Sequence, residues 1–202
     1  MTVKKVESDK IISVKKVQWV GMTVPITGLS PYMSARLDHD VVMHSRRDLT
    51  LARKKSVRNL DEECERALYV IGTDKKNKPI LGIPGGAFKK AMENAAIDLG
   101  LHKTKIKRLV KVRNEFVELK YKRRENRVFG TIDSGPTGAP NLTKKPLFHN
   151  WSCKLNIRFE ASLIPQQDVL NLLERAGSCI GVGGYRLEND GIYGEFEVCR
   201  PK

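Results

Sequence analysis

An α+β fold on a βαββαβ core is predicted by three features: a strictly alternating strand near the C-terminus, two segments with amphipathic helical spacing, and strands flanking both. In WSCKLNIRFE, Trp151, Cys153, Leu155, Ile157 and Phe159 alternate with Ser152, Lys154, Asn156, Arg158 and Glu160, the pattern of a strand with one buried face. GGAFKKAMENAAIDLG spaces Phe88, Ala91, Met92, Ala95, Ala96 and Leu99 along one helix face, and IPQQDVLNLLERAG does the same with Val169, Leu170, Leu172, Leu173 and Ala176.

Taken in order, residues 1–10 read as a loose polar terminus and the first strand as starting near Ile11. From Ile12 to Val24 the chain is rich in Val, Ile, Thr and Trp, but its apolar parity changes after Val14 and again between Trp19 and Val20, which predicts a long strand with a bulge or bend. Pro25 to Ser30 then brings Pro, Gly and Ser together. A basic insertion of about 31–60 follows, carrying Arg46, Arg47, Arg53, Lys54, Lys55 and Arg58.

Asp61 to Tyr69 predicts a short helix with acidic residues at its amino end, TDKKNKP a polar turn, and Ile80–Ile83 a brief apolar segment. The first long helix opens on Pro84, Gly85 and Gly86 and stops at Gly100. Residues 103–124 alternate at Ile106, Val110 and Val112 and again at Val117, Leu119 and Tyr121, predicting a hairpin that turns Lys105, Lys107, Lys111, Lys120 and Lys122 outward, with Arg123, Arg124 and Arg127 beyond. A flexible loop of about 133–147 leads to the strand at Trp151, a helix with Pro165 at its start and Gly177 at its cap, a glycine-rich loop and a last strand at Tyr193–Val198. Reduced to its core, this is the ferredoxin-like (RRM-like) arrangement, an antiparallel sheet covered on one side by two helices, within a single domain spanning 1–202.

Lys and Arg number 37 against 23 Asp and Glu, a net charge of +14 that points to a polyanionic partner. Cys64, Cys153, Cys179 and Cys199 show no CxxC spacing and are expected as reduced thiols of a cytoplasmic protein. No apolar run reaches membrane-spanning length, no signal peptide is expected, and no Walker, GxSxG or dinucleotide motif calls for a cofactor.

GIPGGAFKKAMENAA and GVGGYRLENDGIYGEFEV together resemble the RAMP superfamily, the ferredoxin-like RNA-binding proteins of CRISPR effector complexes. The counterparts are Pro84, Gly85, Gly86, Phe88 and Lys89 in the first motif, and Gly181, Gly183, Gly184, Arg186, Gly191 and Gly194 in the second. The chain also resembles small uncharacterised phage-type proteins. The resemblance implies a non-enzymatic protein that binds single-stranded RNA, or DNA, along its backbone with little sequence preference, as a homo-oligomer or a ribonucleoprotein subunit. Candidate contacts are the first basic cluster, then Gly85, Gly86, Lys89, Lys90, Lys120, Lys122, Lys-adjacent Arg123 and Arg124, and Gly183, Gly184 and Arg186.

Two alternatives are carried. An RNA endonuclease would use LDHDVVMHS, where Asp38, His39, Asp40 and His44 are the one local group of metal-ligand or acid–base types. A phage protein docking into a host ribonucleoprotein by subunit mimicry would bind a protein instead.

Overall fold

The computed structural model describes residues 16–36, 59–132 and 140–199. It is a mixed α+β structure whose sheets are all antiparallel. Strands β1 (Trp19–Gly28), β5 (Val110–Val112), β9 (Ser152–Glu160) and β10 (Phe196–Val198) form a four-stranded sheet in the order β10-β1-β9-β5. Its core face carries Val24 and Ile26 from β1, and Cys153, Leu155, Ile157 and Phe159 from β9, all buried. Helices α2 (Gly85–Asp98) and α4 (Gln166–Arg175) pack their apolar stripes on that face, bringing Phe88, Met92, Val169, Leu172 and Leu173 into the same core. Phe88 meets Phe196 edge to face at 5.4 Å. The opposite face has no such cover among the described residues: Gly21, Thr23, Pro25, Lys154 and Asn156 are exposed along it.

β1 departs from expectation twice. It pairs with β9 in unbroken register from Trp19 to Thr27, so the parity change at Trp19 is no bulge; Trp19 lies on the polar face while Val20 shares parity with Val24. The strand also runs on through Pro25 to Gly28 rather than ending at Val24. The Pro25 carbonyl accepts from Cys199 N at 3.0 Å, just past the end of β10, so the missing proline N–H falls where that short edge strand has finished.

A second sheet, ordered β2-β8-β7, joins β2 (Tyr32–Met33) to a long ribbon of β7 (Arg123–Ile132) and β8 (Pro140–His149), with α1 (Leu60–Arg66) packed against β8. The loop expected over about 133–147 is therefore strand from Pro140 onward. The ribbon exposes Val128 and Leu142, and β8 buries three consecutive residues, Pro146, Leu147 and Phe148, rather than alternate ones, so it leaves no alternation to read. The start of the expected insertion is not loose either: Tyr32, Met33 and Ser34 are buried, and Ser34 Oγ donates to Ala67 O at 2.6 Å. α1 has the acidic amino end anticipated, capped by Asn59, which accepts from the N–H groups of Asp61 and Glu62.

β3 (Val70–Thr73), β4 (Pro79–Pro84) and β6 (Phe116–Glu118) make the third sheet, ordered β3-β4-β6. The hairpin expected over 103–124 does not form. Residues Lys103–Leu109 are helix α3, burying Ile106, and β5 and β6 go to different sheets, pairing with β9 and β4. Asn114 sits between them but its Oδ1 accepts from Asn156 N at 2.8 Å instead of closing a two-strand turn. At the other end, Gly177 does not stop α4. The helix continues as a π turn over Ala176–Ile180 and ends at Gly181, whose φ of 73° is the left-handed stop; Gly177 is small because a Cβ there would lie 2.0 Å from Phe196 O. The last strand is correspondingly short, Phe196–Val198. All four cysteines are free thiols, and burial pushes the Cys153 thiol up to about 12.

Candidate nucleic-acid interface

Arg46, Arg47, Arg53, Lys54, Lys55 and Arg58 lie outside the described residues, as do Asp38, His39, Asp40 and His44. The other sequence-derived candidates fall in two places.

The two glycine motifs meet. Pro84 and Ala87, at the amino end of α2, and Gly183 and Arg186, in the loop after α4, line one cavity of about 200 Å³ with Tyr32 and Tyr69. Most of the glycines there serve the fold. A Cβ on Gly85 would lie 2.0 Å from Asn114 O, one on Gly183 2.5 Å from Met33 O, and one on Gly194 1.8 Å from Val182 O. Gly184 N donates to Met33 O at 3.0 Å, and Gly194 N to Pro31 O at 2.9 Å. Gly86 differs, with nothing within 4 Å of its Cβ position. Burial pushes the Tyr32 hydroxyl well above the usual phenol range, so it stays protonated as a donor.

Around this cavity the charges are partly engaged. Arg186 donates to Glu188 at 2.9 and 2.6 Å, Glu188 also accepts from Asn94, and Asn94 accepts from Lys103 at 3.1 Å. Lys90 beside Lys103 lowers the Lys103 amine from its ordinary value, as two neighbouring ammonium groups must. Tyr185, next to Arg186, holds a left-handed φ of 46° and stacks on Phe129 at 5.3 Å, tying the glycine loop to the ribbon.

In the basic run from Lys105 to Arg127, Arg123, Arg124 and Arg127 are ion-paired and the lysines are not, among the described residues. Arg123 and Arg127 both bond Glu125, at 3.1 and 2.8 Å, and His149 completes the group at 3.0 Å. Arg124 pairs with Glu65, and Lys144 with Asp61. Lys120 and Lys122 are exposed and make no ion pair among the described residues. Lys105 and Lys107, expected on a strand, are on α3.

The open face of the four-stranded sheet holds what the sequence reading missed. Lys111 on β5 and Arg158 on β9 are registered directly opposite each other, and both lie over the indole of Trp19, Lys111 Nζ at 4.6 Å and Arg158 Cζ at 5.2 Å from the ring centroid. Arg113 and Lys154 are exposed on the same side of the sheet. None of these cations makes an ion pair among the described residues. The usable signal was the parity of Trp19, an aromatic in the polar register of a strand.

Among the described residues no group of three or more His, Cys, Asp or Glu side chains is placed to hold a metal ion, and no helix is long and apolar enough to cross a membrane. No protein-family model matches the chain, and no curated protein matches it significantly.

Proposed function

We propose that the protein binds single-stranded nucleic acid, RNA ahead of DNA, along its sugar-phosphate backbone with little sequence preference, and assembles along the strand like a backbone subunit of a CRISPR effector complex. The observation that carries this reading is the convergence of the two glycine motifs, far apart in the chain, on one cavity beside Arg186. At that cavity the Gly85 N–H is taken by Glu115 O at 2.8 Å, while the next first-turn N–H groups of α2 have no helical carbonyl to accept them and Gly86 leaves the approach to them open. Lys89 and Lys90 follow on the same helix. The sheet order β10-β1-β9-β5, with α2 lying in the chain between β1 and β5 and α4 between β9 and β10, supports the ferredoxin-like part of this reading.

Assembly is supported by an apolar cleft of about 510 Å³ between α3 and α4, where Leu99, Leu101 and Leu163 are about half exposed or more. The test is particle mass by light scattering with the 260/280 absorbance ratio, on untagged protein, before and after separate RNase and DNase treatment. A large nucleic-acid-rich particle that RNase alone collapses is expected. A small, nucleic-acid-free particle showing no salt-dependent binding to any added strand overturns the proposal.

A further inference from the structure

We infer that the open face of the four-stranded sheet is a second nucleic-acid contact, a platform on which an unpaired base stacks against Trp19, displacing Lys111 and Arg158 from over the indole to meet its flanking phosphates. This stands on the sheet face alone and survives if the glycine-lined cavity binds nothing.

Three observations lead there. First, Lys111 and Arg158 are like charges directly opposite each other across neighbouring strands, an arrangement that destabilises a sheet unless something negative lies over it. The carboxylates in register on this face do not serve. Glu160, opposite Trp19, is only 3% exposed; its Oε1 accepts from Gln18 N at 2.7 Å and Ser162 Oγ at 2.6 Å, and its Oε2, buried with no hydrogen-bond partner, forms no ion pair with either cation, while Glu197 lies at the far end, opposite Thr27. The indole beneath the two cations supplies some compensation, but a π face is no counter-ion.

Second, Gly21 has no internal reason to be glycine. It sits in mid-strand, its φ is not in the left-handed region, and its Cβ would meet only the Ile157 carbonyl, at 4.0 Å. Glycine weakens a strand interior and is used there where a ligand or another backbone must come close. What its missing side chain leaves is an open groove of about 380 Å³ next to Trp19, lined by Thr23, Arg113, Asn156 and Arg158.

Third, the polar groups on the groove floor are donors. Thr23 Oγ donates to Asn156 Oδ1 at 2.8 Å, which leaves the Asn156 amide nitrogen to donate outward beside the two guanidinium groups. A flat aromatic, an open groove and a donor-rich cationic rim suit a nucleobase with its phosphates, because every base has a π face to stack and every linkage a charge to neutralise. A duplex hides those faces, so a single strand is the ligand.

The experiment titrates full-length protein with a fluorescent single-stranded RNA 20-mer, the same 20-mer carrying abasic residues, and the corresponding duplex. Trp151 is fully buried, so quenching of tryptophan emission on binding reports Trp19. Trp19→Ala is expected to weaken binding of the intact single strand about 5- to 100-fold, with Trp19→Phe keeping most of the affinity and neither changing binding of the abasic strand. As a check independent of the ring, Lys111→Gln with Arg158→Gln should lower the salt slope on single strands by about 1.4. Replacing Lys89, Lys90 and Arg186 by Gln tests the cavity separately: lost backbone affinity with the quench retained separates the two sites. Equal affinity of Trp19→Ala and parent for the intact strand, in folded protein, overturns the platform. So does binding of polyglutamate as tight as that of RNA, which would make the face an acidic-polypeptide site.

Discussion

On the β7–β8 ribbon, Arg123, Arg124, Arg127 and Lys144 stand among carboxylates, whereas on the open sheet face Lys111 and Arg158 stand over an indole with no acid between them. Both surfaces look alike in a count of basic residues. They differ in how much of their field is neutralised at short range, and only the un-neutralised charge is free to displace counterions from a polyanion. Charge pairing, more than charge density, is therefore what distinguishes the proposed contact from the ribbon.

The largest expected effect tests this difference directly. Reversing Lys111 and Arg158 together to Glu should weaken single-strand RNA binding at least about 100-fold, roughly 2.7 kcal/mol, and flatten the salt dependence. Arg123→Gln with Arg127→Gln should change affinity by no more than about twofold, since their positive charge already faces Glu125. Anisotropy titrations across a salt series read both. If the ribbon variant loses more affinity than the sheet variant, the comparison is reversed and the sequence-derived cluster at Lys120–Arg124 is the main contact.

The same separation of engaged from open positions divides two adjacent glycines. Gly85→Ala should cost roughly 2 kcal/mol or more, because its Cβ would fall 2.0 Å from the Asn114 carbonyl, a backbone atom that cannot step aside. Gly86→Ala meets nothing within 4 Å and should stabilise the helix, by about 0.5–1 kcal/mol. Denaturant midpoints measure both, and equal midpoints would mean that the amino end of α2 does not pack as described.

How much was legible in the sequence follows from the same physics. β9 and α2 were readable because each buries one face, and α1 because of the acidic residues at its amino end: the alternation at Cys153–Phe159 and the spacing Phe88, Ala91, Met92, Ala95 survive in the structure residue for residue. β8 was not, since Val128 and Leu142 are exposed, the buried residues of β8 run consecutively from Pro146 to Phe148, and Pro140 and Pro146 read as loop. α3 was mistaken for strand because Lys103–Leu109 buries one side chain, Ile106, too few to fix a period. At the candidate site, the meeting of Pro84–Ala87 with Gly183–Arg186 was foreshadowed only by the motif resemblance, and Trp19 was hidden by treating its parity as a backbone irregularity. A polar-face aromatic and a bulge give the same signal in one strand; the partner strand distinguishes them.

A smaller effect is expected within the ribbon. Arg124 bonds Glu65 and, through Nε, Asn126 at 3.1 Å, but Glu65 is well exposed, so Arg124→Gln should cost no more than about 1 kcal/mol in thermal or chemical unfolding and leave RNA binding nearly unchanged. A cost well above that would mark the α1–ribbon contact as a structural joint whose rupture propagates beyond the ion pair.

The smallest effect is one of pH, and it belongs to the ribbon alone. The Arg127 guanidinium, with His149 behind it, holds the Glu125 carboxyl below the usual carboxylate range. A carboxyl depressed on folding contributes stability that is present above its unfolded value and is lost as pH falls through its folded value. Glu125→Gln should therefore unfold slightly earlier than parent at pH 7, the gap closing as pH drops from the ordinary carboxylate range to below it. The open sheet face offers no equivalent, as Lys111 and Arg158 make no ion pair among the described residues. Lys111→Gln should accordingly shift the unfolding temperature by the same amount at pH 7 and pH 3, and toward greater stability, because it relieves the cross-strand repulsion with Arg158. A pH-dependent gap for Lys111→Gln would reveal a carboxylate partner on that face and remove the contrast from which both surfaces were distinguished.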